Sequence, residues 1–294
     1  MTTKERTPNL PGRMRHVVRS RISEHPALYL PFARRKYRGP SPAVVDRNTQ
    51  MVIEGYPASA NTFAVYAFQM VQRAPVRLAH HLHAPAQLIT AAKQHLPTLV
   101  VIREPEDAII SQLILESHVT ARWGLVSYIR FYSCLLRYRS SFVVGDFDEI
   151  TQDFGSVVAR VNEKFGTAFD RFVTTPESVR ECFELMEQRP VEGADKLLHM
   201  FESGLIGFGQ LRTGLADIAA RQTSDEAASE SASAESDQRT RERLLREQRV
   251  PSAERDRRKA ALRAELLSPE LHELRARARA TYEQFVGARA SLGG

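Results

Sequence analysis

Thr98-Leu99-Val100-Val101-Ile102 is an unbroken apolar and β-branched run, and the charged turn Arg103-Glu104 follows it at once. A strand with no polar face must be covered on both sides, which is the signature of a parallel sheet. Met51-Val52-Ile53 reads as a second compact strand, residues 76–79 as a weaker one and residues 141–144 as another. Helical patterns fill the gaps. Phe63 to Gln72 leads away from the first strand, and Pro105 opens a helix where its missing N–H costs nothing. Leu125, Ile129, Tyr132, Leu135 and Leu136 keep helical spacing within 123–138. Val157, Val158, Val161 and Phe165 do so within 153–165, with Gly166 as the stop. Alternating strands and helices predict an α/β fold, a three-layer parallel sheet flanked by helices.

Hydrophobic residues make up 43% of the 294 and charged residues 26%, which excludes wholesale disorder. Residues 1–48 read as a basic lead-in interrupted by Pro26, Pro31, Pro40 and Pro42, and residues 49–221 as the α/β core. Residues 222–240 are rich in Ser, Ala and Glu with no large apolar side chain, so they read as a disordered linker or loop. Residues 241–294 read as C-terminal helices packing on the core, over about 240–248, 252–267 and 269–287. Ser268 is placed to cap the last of these and Pro269 to sit in its first turn. Leu271, Leu274, Ala278, Tyr282 and Phe285 form a stripe expected to pack against the sheet.

The formal net charge is +6, and Met1 to Arg38 holds ten Lys/Arg against Glu5 and Glu24. A nucleic-acid patch, an anionic-membrane patch, a basic flank for a small anion and a plain solvated face all fit such a segment. Its only interleaved aromatics are Tyr29, Phe32 and Tyr37, so nucleic acid is not the expected partner. No run of 18 apolar residues and no secretory apolar region occurs, and two cysteines cannot build a disulfide framework. The cytoplasm is the expected location.

Two stretches carry chemistry. After the first strand comes Glu54-Gly55-Tyr56-Pro57-Ala58-Ser59-Ala60-Asn61-Thr62, a small-residue loop opening a helix, where backbone N–H groups cradle anions. Against the Walker A pattern, Gly55 and Thr62 match, but Ala60 and Asn61 replace Gly and Lys, which disfavours an ordinary ATPase or GTPase. After the strand at 98–102, Arg103 stands at the carboxyl edge of the sheet and Ser111 two turns into the next helix. Arg103 can fork onto a phosphate while Ser111 donates its hydroxyl. The bland alternatives are a salt bridge for Arg103 and a helix surface for Ser111.

Together these stretches resemble the sulfotransferase family, whose donor is 3′-phosphoadenosine 5′-phosphosulfate. Pro57 to Phe63 is similar to the family's PKSGTTW, and Arg103, Pro105, Asp107 and Ser111 match RNPxDxxxS at its spacing. Residues 142–150 are similar to its strand and acidic turn, and Lys164-Phe165-Gly166 to its FLG. The resemblance covers about residues 50–170. It implies a P-loop-like fold with a helical C-terminal extension, and sulfuryl transfer to a hydroxyl on a small molecule or carbohydrate. Ser59, Ala60, Asn61 and Thr62 would hold the 5′-phosphosulfate through backbone amides and hydroxyls, and Arg103 and Ser111 the 3′-phosphate. Arg255, Arg257, Arg258 and Lys259 are weaker candidates for the same phosphate, with an exposed helix face as the preferred reading. The family's basic histidine corresponds to His83, with His81 as the alternative, since a His can take the hydroxyl proton. His80, His81 and His83 also invite a metal, but no carboxylate or Cys stands nearby in sequence, and no metal is expected.

Two departures matter. The family places Lys or Arg where this chain has Ala58, so Arg73, Arg77 or the basic lead-in must supply the cation. Otherwise turnover is slow, or the protein is a nucleotide-binding homologue without catalysis. Ala60 for Gly demands negative φ or strain of about 1 kcal/mol. Trp123, Tyr128, Phe131 and Tyr132 either line an acceptor pocket or belong to the core.

Overall fold

The computed structural model describes residues 21–39, 42–116, 119–188, 194–226 and 253–287. It is an α/β fold around four parallel strands: β1 (Met51–Gly55), β2 (Leu78–His80), β3 (Thr98–Ile102) and β4 (Val143–Asp146), in the order β2-β1-β3-β4. The register pairs Met51 with Leu78, Val52 with Thr98, and Leu99 with Val143. β1, β2 and β3 are buried along their whole length, including the polar Glu54 of β1 and His80 of β2.

Helix α1 (Pro26–Lys36) precedes β1, and α2 (Asn61–Val71) connects β1 to β2. The chain then reverses direction across the sheet, so α3 (Pro85–Lys93) crosses to β3 on the opposite face, as right-handed crossovers dictate. From β3 to β4 the direction is kept, and α4 (Pro105–Leu115) and α5 (Ala121–Ser133) stay on the α3 face. Beyond β4 come α6 (Phe147–Gln152), α7 (Phe154–Phe165), α8 (Pro176–Glu187), α9 (Ala194–Glu202), α10 (Phe208–Glu226), α11 (Ala253–Leu266) and α12 (His272–Gly287).

Strand side chains alternate between two cores. Val52, Ala79, Val100, Ile102 and Val144 meet α1, α3, α4, α5 and α12. Met51, Ile53, Leu78, Leu99, Val101 and Val143 meet α2, α7, α8 and α9. Both cysteines are free thiols, and burial pushes each up to about 12, so neither is a nucleophile at neutral pH.

Several expectations need correction. Residues 222–226 continue helix α10, while the rest of the expected linker and the helix expected at 240–248 lie outside the described residues, as does most of the basic lead-in, residues 1–20. Pro269 does open a short 3₁₀ turn, but Ser268 makes no side-chain cap there. The stripe Leu271, Ala278 and Phe285 is buried in the core that the strands share, chiefly against the helices: Phe285 meets Tyr132 of α5, with ring centroids 5.1 Å apart. Lys259 pairs with its neighbour Asp256 at 3.3 Å, and the arginines that touch the core are Arg263, Arg275 and Arg279. These bind Asp107, Glu106 and Glu104, three acids at the start of α4.

Candidate active site

The loop after β1, Arg103 after β3 and the histidines after β2 lie at the carboxyl edge of the sheet. The strand order reverses between β1 and β3, and such a switch point opens a crevice between the loops that leave the two strands. The loop after β1 and Arg103 after β3 flank it.

Gly55 is forced by packing. A Cβ there would collide with the Val101 carbonyl oxygen of β3. Beyond Gly55 the chain turns tightly, with Ala58 at φ 61° and Ala60 at φ 70°. Alanine pays for left-handed backbone, so the strain that Ala60 threatened is present, and at two positions. Ala60 is the N-cap of α2 and offers no side-chain cap, and no acid stands in the first turn, so the helix's leading N–H groups are left to a ligand or solvent.

The loop side chains divide. Ser59 is fully buried beside Tyr132, and Asn61 is buried with its Nδ2 donating to Tyr56 O at 2.9 Å. Their side chains therefore sit beneath the loop, away from its half-exposed side. Asn61 Oδ1 is buried without a hydrogen-bond partner. Ala58, Ala60 and Thr62 form the half-exposed side.

Arg103 and Ser111 do come together, and they join the loop. Arg103 Nη1 donates to Ala58 O at 3.2 Å and to Ser111 Oγ at 3.3 Å. Its guanidinium stacks on Phe147 of α6, 3.9 Å from the ring centre. Burial draws its pKa down, while Asp107, Asp148 and Asp146 draw it back up. An arginine stays charged throughout. Arg73 pairs with Asp170 at 3.5 Å, and Arg77 precedes β2 at the opposite edge of the sheet. Neither can stand in for the cation missing at Ala58.

His81 and His83 follow β2 in two left-handed steps, φ 56° and 49°. His81 Nε2 lies 3.0 Å from Thr62 Oγ1, and its Nδ1 lies 2.6 Å from His80 Nδ1. His83 Nδ1 lies 2.8 Å from Gly55 O, an atom that can only accept, so Nδ1 carries the proton and Nε2 is the nitrogen that can take one up. Behind it stands Glu54, fully buried, with Oε1 3.3 Å from His83 Nδ1. Glu54 Oε2 accepts from Leu82 N at 2.8 Å, His83 N at 3.1 Å and Gln87 Nε2 at 3.1 Å. A buried carboxylate that fixes one imidazole nitrogen is how enzymes orient a histidine base. Sequence reasoning missed Glu54, although an acid ending an apolar strand was a signal. It also missed Glu202, which the fold brings close to His80 and His81.

The aromatic residues of α5 sort toward the core. Tyr128, Phe131 and Tyr132 are buried, and Trp123 is half-buried. Tyr128 OH donates to Arg103 O at 2.6 Å, and Tyr132 OH to Val101 O at 2.9 Å. Burial raises both phenols' pKa, so both remain donors. They support the site from below rather than line an acceptor pocket. Comparison of the chain with models of known families, with curated proteins and with solved structures gave no match.

Proposed function

We propose that this protein is a sulfotransferase of P-loop-like fold that moves a sulfuryl group from 3′-phosphoadenosine 5′-phosphosulfate to a hydroxyl acceptor, a small molecule or carbohydrate, in the reducing cytoplasm. One observation carries the reading. The two stretches that resemble the family's donor motifs, far apart in sequence, meet through Arg103 Nη1 at Ala58 O and Ser111 Oγ. The uncapped start of α2 receives the 5′-phosphosulfate, and Arg103 with Ser111 receives the 3′-phosphate.

Of the two candidate histidines, the geometry favours His83. The acceptor oxygen attacks sulfur, and the bond from sulfur to the 5′-phosphate oxygen breaks. The acceptor proton passes to His83 Nε2, and adenosine 3′,5′-bisphosphate leaves. Glu54 and Gly55 O hold the ring and stabilise the imidazolium that forms. No step requires a metal.

Calorimetric titration with adenosine 3′,5′-bisphosphate, beside ATP and AMP, tests the donor site. Preference for the bisphosphate, weakened about 10–100-fold in Arg103→Ala, is the expected result, since a charge-assisted hydrogen bond contributes about 1.5–3 kcal/mol. Equal binding of all three nucleotides refutes the reading. His83→Asn keeps that affinity and loses about 10²–10⁴ in release of bisphosphate from the donor.

A second reading, nucleotide binding without turnover, is favoured by the methyl group of Ala58 where the family carries a cation. Ala58→Lys separates the two. A gain of about 10²–10³ in turnover from a near-inactive parent supports impairment, and an already active parent excludes it.

A further inference from the structure

His80 ends β2, His81 follows it, and Glu202 ends α9. One nitrogen from each imidazole and one oxygen of the carboxylate all lie within 4.8 Å of one another. His80 and Glu202 are fully buried, and His81 is half-buried. A carboxylate taken out of water costs several kcal/mol unless positive charge and hydrogen bonds compensate it. A divalent ion bound among the three groups supplies such charge. Two imidazoles and one carboxylate form a known zinc donor set that keeps a fourth position open.

The surroundings are built to hold these groups together. Gln69 of α2 donates to Val76 O at 2.7 Å and to Glu202 O at 3.3 Å, and accepts from Val76 N at 3.3 Å. Gly204, at φ 68°, lets the chain after α9 pass so close to the Val76 carbonyl that any Cβ would collide. The end of α9 is thereby clamped to the segment that leads into β2. His81 Nδ1 stands 2.6 Å from His80 Nδ1, a contact in which one nitrogen must donate a proton to the other. Ligand atoms around tetrahedral zinc, at about 2.0–2.1 Å from the ion, lie about 3.3 Å apart. Closing the present set to that spacing requires movement on the order of an ångström, within the reach of ring and carboxylate rotation.

We propose that His80, His81 and Glu202 bind a divalent transition metal, zinc by donor type. The ion joins β2 to α9 and fixes the turn that carries His83. The site adjoins the loop of the nucleotide reading, with His81 Nε2 3.0 Å from Thr62 Oγ1, but neither Arg103 nor that loop supplies a ligand, so metal binding is tested without the nucleotide.

The test uses the tag-free full chain, stripped with a chelator and titrated with Zn²⁺ by calorimetry, and with Co²⁺ by visible absorption. One ion per chain, intense cobalt d–d bands and a zinc-dependent rise in Tm are expected. Glu202→Gln and His80→Gln should each weaken zinc binding about a hundredfold or more, with circular dichroism reporting whether each variant folds. No stoichiometric binding by the wild-type chain overturns the proposal even if both variants misfold. Undiminished binding by a folded variant overturns it equally.

Discussion

Two strand-to-helix turns at the same edge of the sheet were solved in opposite ways. β4 runs into α6 through Asp146, whose side chain accepts from Asp148 N while Glu149 reaches back to Asp146 N at 3.0 Å, a complete capping box. Tyr282 of α12 adds a bond to Asp146 Oδ2 at 2.6 Å. β1 runs into α2 through Ala58 and Ala60, both left-handed, with no cap on the helix. The first turn satisfies its own N–H groups. The second accepts strain and leaves its N–H groups to something external. That contrast is the arrangement which the proposed donor site calls for.

Substitutions at matched positions test that contrast. Gly55 ends β1, and Gly145 is the last residue but one of β4. Gly55→Ala drives a methyl into backbone and should cost more than about 4 kcal/mol, or abolish folding. Gly145→Ala meets side chains rather than backbone, Ile150 Cδ1 at 2.7 Å and Leu99 Cδ1 at 3.3 Å, and should cost no more than about 1–3 kcal/mol. Urea denaturation measures both, and equal losses would dissolve the distinction. Asp146→Ala should cost about 1 kcal/mol by the same method, the typical loss of a cap. Ala60→Gly should stabilise the chain by up to about 1 kcal/mol by relieving left-handed backbone. A destabilised Ala60→Gly would mean that the strain at this turn is not real.

The sequence disclosed the layers well because periodicity reports burial. β3 matches the expected 98–102 run, and α7 ends at Gly166 as expected. β2 and β4 sit about two residues later than their apolar runs suggested, since pairing with β1 and β3 sets their limits. Arg103, Ser111 and the loop after β1 could be found because each lies within a short local pattern. Glu54 was passed over because its partners, residues 82, 83 and 87, belong to another connection. Glu202 was beyond reach for a stronger form of the same reason: only the three-dimensional path of α9 brings it to β2. The inward turn of Ser59 was likewise invisible, because residue type does not say which side of a loop a hydroxyl faces.

Among the described residues, no helix is long and apolar enough to cross a membrane. The placement of α12 instead bears on how the chain is made. Phe285 and Ala278 are fully buried against α5 and α4, so this core is not sealed until α12 has been synthesised. The strands that carry Glu54 and Arg103 leave the ribosome long before that helix exists. Until then, Tyr132 and its neighbours present an oily surface to the cell, and the nascent protein must be sheltered or fold quickly once α12 emerges.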